Sequence, residues 1–203
     1  EIASCYSMTE PQAGADPSEF LCTAVKDGNE WVINGEKWFA SHARFSAFLL
    51  VMVVTDTTVP IHQGASIILV EQGTPGMDII RNSAVGPHIE NGDGVHAYIK
   101  FDNCRVPAEN LLGNVGEGFL VAQTRLGGGR VHHAMRTVGV IKHALDMMCE
   151  RAVSRRTKGE YLSEKQMTQE KIADVYTMIM QFRLHVLYTA WLIDKHKEYN
   201  REV

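Results

Sequence analysis

A single change of hydrophobic period most constrains how this chain can fold. Residues 20–106 alternate in period two, are rich in β-branched and aromatic side chains, and are punctuated by short turn dipeptides. After Arg105-Val106-Pro107 the period becomes about 3.6 and the strand-forming runs end. The expected class is therefore α+β: an antiparallel β-barrel or β-sandwich domain over 1–107, then long antiparallel helices over 108–203. Strands are expected at 20–26, 30–33, 36–41, 48–55, 65–71, 77–82 and 95–103. Asp27-Gly28 and Asn34-Gly35 readily take positive φ, so two successive hairpins are expected there. In the second half Val131, Met135, Val138, Ile141, Leu145, Met148 and Ala152 form one apolar stripe. Three glycines in a row, Gly127 to Gly129, each cost a helix about 1 kcal/mol relative to Ala, which predicts a break between helices at 117–126 and 130–154. A third helix is expected from about Ser163 to the chain end.

Charge and cysteine content narrow the function. Twenty Lys and Arg against 24 Asp and Glu give a formal net charge of −4. The basic residues cluster only at Arg151, Arg155, Arg156 and Lys158, which argues against nucleic acid as a partner. The longest apolar run, 47–54, is far short of the roughly 20 residues that span a bilayer, and the opening residues do not pair a basic stretch with an apolar one, so no membrane span and no secretion are expected. A cytoplasmic location, or an organelle matrix in a eukaryote, is expected. Cys5, Cys22, Cys104 and Cys149 are widely spaced, so neither a zinc site nor a disulfide framework is indicated. Because the chain opens on Glu1-Ile2-Ala3-Ser4 and stops at Val203 inside a helical pattern, it is expected to be a piece of something longer.

Chemistry-bearing residues are densest in the opening loop, Tyr6-Ser7-Met8-Thr9-Glu10-Pro11-Gln12-Ala13-Gly14-Ala15-Asp16. Such a loop can present backbone N–H groups and the Thr9 hydroxyl to a polar ligand edge, with Gly14 permitting close approach, although most loops of this composition bind nothing. Four motifs in order give it a context: Thr-Glu-Pro-x-x-Gly-x-Asp from Thr9, Asn-Gly-Glu-Lys-x-Phe-x-Ser from Asn34, Arg-Val-Pro-x-x-Asn-Leu-Leu-Gly from Arg105, and Arg-Arg-Thr-x-Gly from Arg155. Together they resemble the acyl-CoA dehydrogenase flavoprotein family across essentially the whole chain. Gly-Arg-x-His-His-x-Met-Arg from Gly129 resembles the branch of its family members ten and eleven.

That resemblance implies that Tyr6, Met8 and Thr9 line FAD, with Gly14 and Ala15 near its pyrophosphate. Ala15 stands where the family usually has Ser or Thr. It further implies that Phe39 packs on the flavin and that Ser41 lies near its N5. Strand alternation places the neighbouring Trp38 on the opposite face, as a core or interface residue. Arg155 and Thr157, with Gln166, correspond to family positions that reach the FAD of a neighbouring subunit. A charge cluster after a helix ordinarily just complements its negative end, and Ser163-x-x-Gln166 also reads as a capping box. Arg130 matches a position beside the substrate thioester, and Ala15 is its counterpart in the loop. His132 and His133 point about 100° apart on a helix and cannot jointly ligate a metal.

The family reaction removes the α-proton with a carboxylate while the β-hydrogen leaves as hydride to the flavin. The resemblance puts the base either beyond this chain or at the position of Gly129, which cannot serve. Glu117, Asp146 and Glu150 have no counterpart among family bases. The expected function is acyl-CoA dehydrogenation by a homodimer or homotetramer that passes electrons to an electron-transfer flavoprotein or a similar acceptor, with this piece alone inactive. Transfer to oxygen as an acyl-CoA oxidase and a non-enzymatic binding role stand as alternatives.

Overall fold

The computed structural model describes residues 2–83 and 96–197. The glycine-rich stretch 86–94 and the first residue of the strand expected at 95–103 lie outside them, as does the expected helix end beyond 197. Two compact units are formed, Glu1–Gln123 and Thr124–Val203.

The first unit is built on a mixed sheet. Its strands are β1 (Ser4–Ser7), β2 (Thr23–Asp27), β3 (Glu30–Ser41), β4 (Phe48–Val54), β5 (Ala65–Glu71), β6 (Met77–Ser83), β7 (His96–Pro107) and β8 (Leu111–Leu112), with one short helix, α1 (Ile61–Gly64), before β5. Their order is β6-β7-β3-β2-β4-β5-β8, with β1 beside β4. Among the described residues β6 and β8 are edges, so the sheet is sandwich-like rather than a closed barrel. Most pairings are antiparallel, but β1 and β2 each join β4 in parallel. The alternating apolar residues fill the core: Leu49, Val51 and Val53 of β4, Ile68 and Val70 of β5, and Ile99 of β7 are fully buried. Each contributes about 1.5–3 kcal/mol by leaving water.

Of the two expected hairpins only the first exists. Gly28 takes φ +61° in the turn between β2 and β3. Asn34-Gly35 does not turn at all, and β3 runs straight through it. Its ladder with β7 instead shifts register between Ile33 and Gly35. Gly35, at φ +139°, lies so close to β2 that an added Cβ would be 2.5 Å from the Cys22 Cα. The glycine serves close approach between strands, not chain reversal.

In the second unit the expected glycine break is likewise absent, because α2 (Gly118–Ser154) is continuous over 37 residues. Three glycines weaken a helix without interrupting it when long helix-forming flanks continue on both sides. An added Cβ at Gly128 or Gly129 meets nothing within 4 Å. Gly128→Ala and Gly129→Ala are therefore each expected to stabilise the fold by about 1 kcal/mol in denaturant unfolding. No gain at either position would mean that the chain does break there.

After α2 comes a hairpin that the sequence reading did not anticipate. Strands β9 (Arg156–Thr157) and β10 (Glu160–Tyr161) pair antiparallel across Lys158 and Gly159, at φ +51° and +88°. A 3-10 turn, Leu162–Glu164, leads into α3 (Gln166–Asp194). The expected Ser163–Gln166 capping box does not form. Instead the Glu164 carboxylate accepts the Tyr161 backbone N–H at 2.7 Å, and the residue that caps α3, Lys165, makes no side-chain cap. Early α2 residues (Arg130, Val131, Ala134) and late α3 residues (Phe182, Val186, Thr189) line one groove, so the helices run antiparallel. No described helix is long and apolar enough to cross a membrane.

Candidate functional site

In the first unit, the loop after β1 is tied to β3 residue by residue. Along β3, Trp31, Ile33 and Lys37 share the inward parity, and Lys37 is fully buried. Its Nζ donates to the Met8 carbonyl at 2.8 Å and to the Glu10 carboxylate at 2.7 Å, and it lies 4.6 Å from the centre of the Phe20 ring. Glu10, 1% exposed, also accepts from the backbone N–H groups of Leu21 (2.6 Å) and Cys22 (3.1 Å) and from the Gln12 amide (2.7 Å). Burial lowers the pKa of Lys37 from its ordinary value, opposed by the Glu10 carboxylate that pairs with it. Burial pushes the neighbouring Cys22 thiol up to about 12, so it stays neutral. Between these ties, the Trp38 backbone N–H donates to the Thr9 carbonyl at 2.7 Å. Met8, Thr9 and Glu10 are therefore each fastened to β3. Beyond them the loop curls back, with Gly14 at φ +56° and its N–H on the Glu10 carbonyl at 3.2 Å, leaving Gly14 and Ala15 exposed. Tyr6 is half-buried in β1.

The next residues of β3 depart from strand alternation. Phe39 adopts φ +53°, and the ladder with β7 shifts between Lys37 and Ala40. Such a bulge turns consecutive side chains toward one side. Trp38 therefore does not oppose Phe39 as alternation required. The two rings stack with centroids 4.4 Å apart and planes 16° from parallel. Trp38 is half-buried, its indole N–H donating to the Ser83 hydroxyl, while Phe39 remains 42% exposed. Ser41 follows, its Oγ 2.9 Å from His96 Nδ1.

The structure thus gathers Met8, Thr9, Phe39 and Ser41 around one bulge. An exposed aromatic ring backed by a second one can hold a flat ring system, and the adjoining hydroxyls and loop backbone can meet its polar edge. Residue-by-residue reading of the sequence missed Glu10, Lys37, Ser83 and His96 here. For Lys37 a signal existed, since a lysine at an inward position demands a buried partner.

The other candidate residues belong to the second unit. Arg130 lines the groove between α2 and α3, a space of about 210 Å³ that is mainly apolar. Arg155 and Gln166 are exposed at the two ends of the connection between these helices, and Thr157 is half-buried in β9. Arg156 folds back on its own hairpin, 4.6 Å from the Tyr161 ring centre and donating to the Gly159 carbonyl at 2.9 Å. His132 and His133 are exposed with rings 68° apart, and among the described residues no cluster of His, Cys, Asp and Glu could hold a metal.

Comparison with known proteins shows the family. Residues 5–104 match the middle domain of acyl-CoA dehydrogenases, and residues 116–203 match the acyl-CoA dehydrogenase C-terminal domain. The chain is 42% identical over 200 residues to a Mycobacterium tuberculosis protein named "Probable acyl-CoA dehydrogenase FadE2", an alignment covering 97% of this chain and 48% of that protein. Human acyl-CoA dehydrogenase family member 11 is 39% identical over 197 residues, covering 95% of this chain and 25% of the relative. Among solved structures, an acyl-CoA dehydrogenase from Geobacillus kaustophilus superposes with a TM-score of 0.89 at 29% identity, covering 99% of this chain and 52% of that one. The chain thus spans about half or less of the length of these relatives.

Proposed function

As this chain belongs to the acyl-CoA dehydrogenase family, we propose that it serves FAD-dependent α,β-dehydrogenation of an acyl-CoA thioester. The observation that carries this reading is the stacked Trp38–Phe39 pair beside a loop braced at three consecutive residues. Tyr6, Met8, Thr9, Phe39 and Ser41 would hold the flavin ring. Gly14 and Ala15 would meet the pyrophosphate through backbone, since Ala15 has no hydroxyl to offer. Bound FAD would supply the acceptor for the β-hydrogen leaving as hydride.

Arg155, Thr157 and Gln166 would reach the FAD of a neighbouring copy, which makes the active form a homodimer or homotetramer. A guanidinium suits phosphate oxygens, and the fold leaves Arg155 exposed while Arg156 is occupied within its hairpin. Ala15 and Arg130 would lie toward the thioester. The β-rich part, 1–107, would carry most of the flavin site and the helical part, 108–203, the contacts between copies. Reduced cofactor would be reoxidised by an electron-transfer flavoprotein or a similar acceptor. Replacing Phe39 by Ala is expected to weaken FAD binding about tenfold in a fluorescence titration, as one aromatic stacking face is lost. Unchanged affinity would remove the bulge from the flavin site.

No residue of this chain is assigned as the base. Glu10 is the carboxylate that the fold buries at this site, and four donors occupy it. Buried at 1% exposure and engaged by these donors, it offers no open face to a substrate proton. The isolated 203-residue chain is accordingly expected to show no acyl-CoA-dependent reduction of an electron acceptor. Turnover by that chain would place the base within it.

A further inference from the structure

His96, at the start of β7, occupies a position that the family reading leaves without a role. It stands in register with Ser41 of β3 on one side and Ser83 of β6 on the other, so the three side chains share one face of the sheet. The Ser83 hydroxyl is engaged by the Trp38 indole, and the Ser41 hydroxyl meets His96 Nδ1 at 2.9 Å. The Phe39 ring holds the imidazole edge-on, with centroids 6.4 Å apart and planes at 74°. One histidine therefore touches both the exposed ring and the hydroxyl beside it.

A serine hydroxyl has one proton and rotates freely until a partner fixes it. Nδ1 can accept that proton, leaving Ser41 only lone pairs for a further ligand, or donate its own, leaving Ser41 a donor. Packing against Phe39 alone would be served as well by an apolar residue. We infer that His96 is a positioning residue which sets the hydrogen-bonding role that the Ser41 hydroxyl presents to the flavin. This rests on the FAD reading above.

The test uses purified protein loaded with FAD and compares wild type, His96→Leu, His96→Asn, Ser41→Ala and the Ser41→Ala/His96→Leu double variant. The readouts are the dissociation constant for FAD and the visible band of the bound flavin, with thermal melting followed separately. Losing one hydrogen bond, His96→Leu is expected to weaken binding by about three- to tenfold and to shift the band. His96→Asn, which keeps a hydrogen-bonding atom near the Nδ1 position, restores both. In the Ser41→Ala background His96→Leu adds nothing. Equal effects in both backgrounds, no effect at all, or no rescue by Asn would overturn the inference while leaving FAD binding intact. A wild type that takes up no FAD would overturn the proposed function and this inference together. Should the Leu variant fail to fold, the imidazole ¹⁵N resonances of His96 in wild type and Ser41→Ala decide the matter. A displaced Nδ1 signal supports the contact, and an unmoved one contradicts it.

Discussion

Replacing Glu10 by Ala is expected to destabilise the first unit by about 3–5 kcal/mol, lowering the melting temperature by on the order of 10 °C. The substitution removes the acceptor of four donors at once, of which only the exposed Gln12 amide can turn to water. Lys37, fully buried, would keep only the Met8 carbonyl and the Phe20 ring, and the Leu21 and Cys22 N–H groups would lose their acceptor. Breaking a buried ion pair from one side costs more than removing it from both, because no charge is then left without a counterion. Glu10→Gln/Lys37→Met should accordingly recover most of the loss, since the Gln carbonyl still accepts from Leu21 and Cys22. The site is affected with the fold: Met8, Thr9 and Glu10 are held to β3 through this pair and the Trp38 N–H, so the single variant should bind FAD more weakly even below its melting temperature. A double variant no more stable than Glu10→Ala would show that the ion pair is not what holds the loop.

The second large effect is expected at Gly35. An Ala there places its Cβ 2.5 Å from the Cys22 Cα and 2.8 Å from its Cβ, and it must also hold φ +139°. Backbone on the other side cannot yield without parting β2 from β3, so the cost should reach about 3–5 kcal/mol. Gly28→Ala is the internal control. It carries φ +61° in a true turn, and an added Cβ there meets nothing within 4 Å, so only the positive φ is penalised, by about 1–2 kcal/mol. Were Asn34-Gly35 a second hairpin turn, the two variants would lose similar stability in urea unfolding. A clearly larger loss at Gly35 is expected.

These contrasts show what was legible in the sequence and what was not. The change from alternation to a 3.6-residue period is a property of neighbouring residues, and the structure follows it, with strands giving way to α2 and α3. Gly28 and Gly35 sit in look-alike dipeptides, and only the distant Cys22 decides that one turns and the other packs. The run Gly127–Gly129 lowers local helix propensity by an amount that the rest of a 37-residue helix offsets. Alternation misplaced Trp38 because it assumes continuous extended backbone, and Phe39 leaves that conformation. Phe39 and Ser41 were singled out through resemblance, whereas His96, 55 residues from Ser41 in sequence, is joined to it only by sheet register. Lys37 could have been found from its parity, but its partner Glu10, 27 residues earlier, could not be chosen without the loop's path.

The most direct test of the central claim is the absorption spectrum of the purified protein from about 350 to 500 nm, before and after anaerobic addition of a panel of acyl-CoA thioesters. The account predicts a flavin spectrum, present as purified or after reconstitution with FAD, that bleaches with at least one thioester once a segment supplying the base is joined to these residues. A colourless protein that cannot be reconstituted would contradict it.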